Sequence, residues 1–292
     1  MNAAERYQAL IEARIGVREA WPDNAGHPGQ YYLRSARLHA PGGALVYSRA
    51  AIVDFFDEFG ADRASSMAAS EAPEVIAAPM PGATLLAAHY RPASAATTCL
   101  SLAVMRGDWI NEEWLFGPEP ARNVPEQVEP KRMDLFSVFP DRVGEQPPDS
   151  MPGAAATQGP VAAVLERFHR GCNLGQAEAF DAIYAQDATL NLADGETGPA
   201  QASAADFYGR LWRRFSDPVL HAEQVVAPAE GDRAAVLWHL TGDAPNASRQ
   251  QHLRGLSFWR FDAAGRIVAD STRFDTAAMQ RDRDADAAAW RA

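Results

Sequence analysis

Apolar and polar positions follow a helical rhythm and then a strand rhythm in the second half of this chain, and the same change can be traced in the first half. Val161, Val164, Leu165, Phe168 and Cys172 fall at i, i+3, i+4, i+7 and i+11, which is one face of a helix. Gly175 closes that helix, and 177–184 reads as a second short one. A short strand is expected over 188–192, and the polar run 194–199 turns the chain. A third helix over 204–215 would carry Phe207, Leu211 and Phe215, with Ser203 at its N-cap. Beyond it the period becomes two, giving strands near 220–227, 234–241, 251–261 and 266–274. The last pair is joined by Asp262-Ala263-Ala264-Gly265, a turn sequence with Gly where φ can be positive. Helices first and an antiparallel meander afterwards is an α+β order.

The first half repeats that order. Tyr7, Leu10, Ile11 and Ile15 form a first helical face, and Ile52, Phe55, Phe56 and Phe59 a later one. Ala36-Arg37-Leu38-His39 parallels Ala188-Thr189-Leu190-Asn191, and the segment ending at His89 parallels the one ending at Trp238. The stretch 102–110 parallels the final hairpin around Gly265 and Ile267. Five such matches at offsets of roughly 150–157 residues point to an internal duplication. The expected organisation is a degenerate first domain at 1–117, a Pro/Gly-rich linker at 118–159, a second domain at 160–276 and a tail at 277–292. Leu256 and Phe258 share one face of a strand while Gly255, Ser257 and Trp259 share the other. Large apolar groups on both faces predict that the outer face is covered too, which an intramolecular pseudo-dimer of the two copies would achieve.

Composition narrows the function classes. Lys and Arg total 27 against 38 Asp and Glu, a net charge of −11, so nucleic acid and anionic membranes are poor partners. No run reaches the ~18 apolar residues of a membrane span. The two cysteines, Cys99 and Cys172, fall in different copies, which predicts a reducing, cytoplasmic setting. The seven histidines are dispersed, no metal-ligand spacing occurs, and dinucleotide, P-loop and nucleophile-elbow motifs are absent. The expectation is therefore no metal and no cofactor.

The second copy resembles the SnoaL-like polyketide cyclase branch of the superfamily that also holds nuclear transport factor 2 and ketosteroid isomerase. The resemblance rests on 233–242 (Arg-Ala-Ala-Val-Leu-Trp-His-Leu-Thr-Gly), Arg254-Gly255, 258–261 (Phe-Trp-Arg-Phe), Gly265-Arg266-Ile267-Val268 and Phe274-Asp275. It implies two tandem cone-shaped domains, each a strongly bent antiparallel sheet wrapped around helices. It also implies a pocket for a small apolar or cyclic ligand, and one carboxylic acid or His that moves a proton beside a carbonyl. The implied activity is cofactor-free aldol-type cyclisation or isomerisation of a small cyclic carbonyl compound; the alternative is a non-catalytic binding protein on the same scaffold.

In that family the working Asp sits five residues after the Ile of Gly-x-Ile; here that position is Thr272, and Leu115 in the first copy. Strand side chains two apart share a face, so Asp270 and Glu113 project the same way as those two positions. Asp270 is therefore the candidate acid/base, with Ser257 expected opposite it and Trp259 on the same face. Asn191 and His39, at equivalent positions after a short strand, are candidate polar pocket residues, and Trp238 a packed wall. Asp275 is expected to cap a following helix.

Overall fold

Helix α1, Ala3–Arg14, is started by a reciprocal pair: the Glu5 amide donates to Asn2 Oδ1 at 2.9 Å, and the Asn2 amide to Glu5 Oε2 at 2.8 Å, the arrangement of a capping box. In the computed structural model the described residues are 1–14, 31–41, 45–61, 72–91, 98–117, 159–191, 208–209, 215–228, 231–243 and 250–275. After α1 come β1 (Tyr32–His39), β2 (Leu45–Tyr47), α2 (Arg49–Ala61), β3 (Glu74–Met80), β4 (Ala83–Tyr90), β5 (Cys99–Arg106) and β6 (Trp109–Phe116). The second half contributes α3 (Pro160–Phe168), β7 (Tyr184–Asn191), β8 (Ser216–Val226), β9 (Arg233–Asp243), β10 (Gln250–Phe261) and β11 (Ile267–Phe274). The linker 118–158, the tail from 276 and most of the expected helix 204–215 lie outside the described residues, as does the helix that Asp275 was expected to cap.

The strands form a six-stranded sheet ordered β2-β1-β6-β5-β4-β3 and a five-stranded sheet ordered β7-β11-β10-β9-β8. This is a two-domain α+β architecture. Neither sheet is purely antiparallel as expected: β1 runs parallel to β6, and β7 parallel to β11. The reason is topological, since the first strand of each half meets the last one only after the intervening elements have returned the chain to the same end. Strand β7 also starts four residues earlier than its polarity suggested. The Ile267 amide donates to Ile183 O at 2.8 Å, so pairing with β11 draws Tyr184 into the sheet directly after a tight helical turn at Ala177–Ala182.

Each domain has its own core. Tyr7, Leu10, Ile52, Phe55, Leu86 and Met105 belong to one, and Val164, Phe168, Tyr184, Trp238, Leu240 and Trp259 to the other. A third buried cluster takes residues from both sheets, among them Leu85, Leu102 and Trp114 from the first and Leu237, Leu256 and Phe258 from the second. The backs of the two sheets thus meet along a seam, as the two-faced apolar pattern of β10 predicts. Phe258 is 3% exposed and its ring lies 5.5 Å from that of His89 on β4. Glu74 on β3 bridges the seam at its rim to Arg233 and Arg260.

Two details of β9–β11 position the site. Gly255 faces Trp238 across the β9–β10 pair, and a Cβ on Gly255 would stand 2.1 Å from the indole, so the ring lies flat only because that residue is glycine. In the β10–β11 hairpin, Gly265 has φ 75°, as the turn sequence predicts.

Candidate acid/base site

Asp270 and Thr272 on β11 point into the core of the second domain, where Asp270 is 1% exposed and Thr272 fully buried. A chain of donors ends on Asp270. The Trp238 indole N–H donates to Ser257 Oγ at 3.0 Å, Ser257 Oγ lies 2.7 Å from Thr272 Oγ1, and Thr272 Oγ1 donates to Asp270 Oδ1 at 2.7 Å. Because Thr272 spends its one proton on Asp270, Ser257 donates to Thr272 while accepting from the indole, and the hydroxyl dipoles all run toward the carboxylate. Tyr184, the first residue of β7, donates to Asp270 Oδ2 at 2.7 Å, and the Tyr208 hydroxyl joins the same group of polar atoms.

The electrostatics of this group are set by burial. Desolvation raises the Asp270 pKa to about 6, against the pull of hydrogen bonds from Thr272, Tyr184, Trp259 and Tyr208. The Trp259 indole N–H sits directly across the strand and completes no hydrogen bond of good geometry; its nearness still favours the ionised carboxyl. Burial and the neighbouring carboxyl push the Tyr184 and Tyr208 hydroxyls well above the usual tyrosine range, so both stay protonated donors. Aromatic rings close the surroundings: Phe168 stacks on Trp259 at 5.3 Å and Phe180 on Tyr208 at 5.5 Å.

Residues 165–269 match the family model of the SnoaL-like domain. The second half of the chain carries a SnoaL-like domain. Solved structures with similarity to this chain include IdmH from Streptomyces antibioticus, a candidate polyketide cyclase, at 19% identity over 44% of this chain and 99% of that one, with a TM-score of 0.38. An NTF2-like protein of unknown function from Burkholderia pseudomallei aligns at 23% identity over 43% of this chain and 97% of its own, TM-score 0.37. A protein with a ketosteroid isomerase-like fold from Catenulispora acidiphila aligns at 12% identity over 39% and 85%, TM-score 0.34. No curated protein matches.

One expected pairing in the SnoaL-like domain is corrected. Trp259, not Ser257, lies opposite Asp270, and Ser257 lies opposite Thr272. The Asp262 amide closes the hairpin on Arg266 O and a register irregularity follows at Arg260/Phe261, so the pairing is displaced by two residues. A displacement of two keeps every side chain on its expected face. Ser257 therefore reaches Asp270 through Thr272 instead of directly.

Asn191 and His39 do occupy equivalent places, pairing with Ser271 and Trp114 in the two parallel registers, but both sit on the seam side and not beside the acids. Asn191 donates to Thr98 Oγ1 at 3.1 Å and bonds Arg273. His39 stacks on Trp114 at 4.9 Å and lies 2.9 Å from Glu112 Oε1; its pKa is lowered, burial being the main cause. The sequence match of His89 with Trp238 is off by one. The strand registers equate Trp238 with Tyr90, both on core faces, whereas His89 faces the seam and meets Ser271 Oγ at 3.1 Å. His239 lies on the opposite face from Trp238, 3.0 Å from His252, and its pKa is lowered to about 3, first by burial and then by His252, Arg254 and His221.

Glu113 stands on β6 where Asp270 stands on β11, each three residues after an Ile that pairs with a tyrosine, Tyr32 or Tyr184. Its environment differs in kind. Arg14, at the end of α1, grips Glu113 with two parallel bonds of 2.7 and 2.8 Å, and both side chains are buried. The Tyr7 hydroxyl donates to Glu113 Oε1 at 2.8 Å, and Tyr32 closes on Oε2. In the second domain Cys172 is buried and its thiol is pushed up by that burial. Among the described residues no Lys, Arg or His forms an ion pair with Asp270. Sequence reasoning overlooked Tyr184, Tyr208, Arg14 and Arg273; for the first of these a signal existed, since Tyr32 and Tyr184 precede the parallel segments 36–39 and 188–191 at the same interval.

Proposed function

We propose that the SnoaL-like domain is a cofactor-free acid/base catalyst for a small cyclic carbonyl compound, with Asp270 as the proton carrier. The observation that carries this reading is a buried carboxyl with no cationic partner among the described residues, raised to about 6. That value lets one group both accept and return a proton near neutrality. Ionised Asp270 removes a proton from the carbon beside a carbonyl, and the electron pair moves onto the carbonyl oxygen as an enolate. Protonated Tyr184 and Tyr208 are the nearby donors able to stabilise that oxygen. Return of the proton at another atom gives isomerisation; in aldol-type ring closure the enolate carbon attacks a second carbonyl of the same molecule, whose π electrons move to its oxygen, and Asp270 returns its proton to the alkoxide so formed. Ser257, Thr272 and Trp238 orient the carboxylate, and Trp259 forms part of the apolar wall.

The first domain is, in this reading, a degenerate copy from a tandem duplication. Its acid, Glu113, is engaged by Arg14 in a buried two-bond ion pair, whereas Asp270 has no such partner among the described residues. The two sheets would form an intramolecular pseudo-dimer, so the chain should scatter light as a monomer of 31.6 kDa; a mass twice that would mean the sheets pair between chains.

The catalytic test is a screen of cyclic ketones and esters followed by Asp270→Asn. Turnover should vanish, and in the unaltered protein kcat should rise with pH through about 6 and then level off. Undiminished turnover in the variant would remove the proposal. A ligand bound equally by both proteins and converted by neither would make the domain a binding module.

A further inference from the structure

Strand β11 faces two ways, and the residues on its back bind it to the first domain. While Asp270 and Thr272 point into the second core, Ser271 reaches His89 on β4 and Arg273 reaches the segment just before β5. The guanidinium of Arg273, 4% exposed, makes four hydrogen bonds. Nε donates to Thr98 O at 3.0 Å, Nη1 to Asn191 O and to Thr272 O at 2.8 Å each, and Nη2 to Asn191 Oδ1 at 2.9 Å. Asn191 closes the ring by donating to Thr98 Oγ1 at 3.1 Å. The group therefore ties together β7, which brings Tyr184, β11, which brings Asp270 and Thr272, and the first domain.

The partners of Arg273 are unusual for a buried cation. Among the described residues its hydrogen-bond partners are neutral oxygens, not a carboxylate, so dipoles in direct contact, with Asp270 acting only through space, offset the desolvation of the charge. Burial accordingly lowers its pKa. Five hydrogen bonds at one seam position could be dispensed with in favour of apolar packing of the kind found at Phe258 and Leu256 if adhesion were the only requirement. What the guanidinium adds is geometry: the fixed fork of donors sets the backbone carbonyl of Thr272, the residue whose hydroxyl holds Asp270.

We propose that Arg273 is a positioning residue for Asp270, through which the first domain holds the β7–β11 pair in the geometry the acid requires. This rests on the reading of Asp270 as the proton carrier. The first domain then serves as the template against which the second is aligned.

The test reads Asp270 directly and needs no substrate. In the full chain labelled with carboxyl-13C aspartate, the Asp270 signal is assigned by its loss in Asp270→Asn, and its titration is followed by NMR. The unaltered protein should show a midpoint near 6. Arg273→Met keeps the stem and removes the fork and the charge; it should raise the midpoint, because the cation favours the ionised carboxyl. Arg273→Lys restores charge without the fork and should leave the midpoint displaced by less, with a changed limiting chemical shift. Should Arg273→Met fail to fold, His89→Ala, which frees Ser271 from the first domain, should move the midpoint upward as well. A folded Arg273→Met or, in its absence, a folded Arg273→Lys and His89→Ala with unchanged midpoint and limiting shifts would overturn the positioning role. An unaltered protein whose Asp270 titrates near 4 would instead remove the acid/base reading itself.

Discussion

Asp270→Asn should make this protein more stable at pH 8 while changing the comparison little at pH 4, and the difference follows from the burial of one carboxyl. The folded-state pKa is about 6 and the reference value 3.8. The native state therefore binds the proton more tightly than the unfolded chain between those limits. Stability from this group is fully present below 3.8 and is lost as pH rises through about 6, because unfolding lets the carboxyl ionise in water. A gap of about two pKa units at 1.36 kcal/mol each corresponds to about 3 kcal/mol between pH 4 and pH 8. Asparagine has the shape of the neutral acid and does not ionise, so it escapes that loss. Its amide replaces one acceptor facing Tyr184 or Thr272 and costs about 1 kcal/mol at every pH. Urea denaturation of both proteins at pH 4, 5, 6, 7 and 8 isolates the effect as the pH dependence of their stability difference. The variant should gain about 3 kcal/mol on the unaltered protein across that range. A flat difference, or one running the opposite way, would show that Asp270 is ionised at ordinary carboxylate pH and would refute the argument from burial.

The first domain makes the opposite case. Glu113→Gln leaves Arg14 charged and buried and should cost about 3–5 kcal/mol, whereas Glu113→Leu with Arg14→Met should cost much less; equal losses in thermal or urea unfolding would show that the pair is not effectively buried. Phe258→Ala should destabilise the chain by about 3–5 kcal/mol through the cavity it opens in the seam, and an unchanged denaturation midpoint would mean the two sheets are not packed there. His239, lowered to about 3 from 6.5, gives stability that is present above 6.5 and is lost as pH falls toward 3, since the unfolded chain takes up the proton first. His239→Gln should therefore flatten the acid limb of a circular-dichroism pH titration, and an unaltered limb would assign the acid lability to other groups.

Much of this was legible in the chain itself, and the reason is period. Helical spacing at Tyr7, Leu10 and Ile11 and at Val164, Leu165 and Phe168, followed by strand alternation, determined the α+β order and its repetition. Strand parity, counted from the positions that the family resemblance marks, placed Asp270 and Glu113 on core faces, and it survived a two-residue error in the hairpin register because a shift of two leaves the face unchanged. Parity also foretold that Leu256 and Phe258 would need a cover. What it could not supply was which residues from distant segments meet the acids. Arg14 reaches Glu113 from the end of α1 across 99 residues, and Tyr184 reaches Asp270 across 86 through the parallel β7–β11 pairing. Position 14 looks unremarkable in sequence, yet its guanidinium makes a buried ion pair with one carboxylate, while the other is governed by desolvation. The same applies to Asn191 and Arg273, whose side chains turn to the seam because the opposing sheet is there to receive them. The sequence by itself determined the elements and their faces; only the tertiary structure decided which groups surround each buried acid, because that depends on distances between residues that are neighbours in space and strangers along the chain.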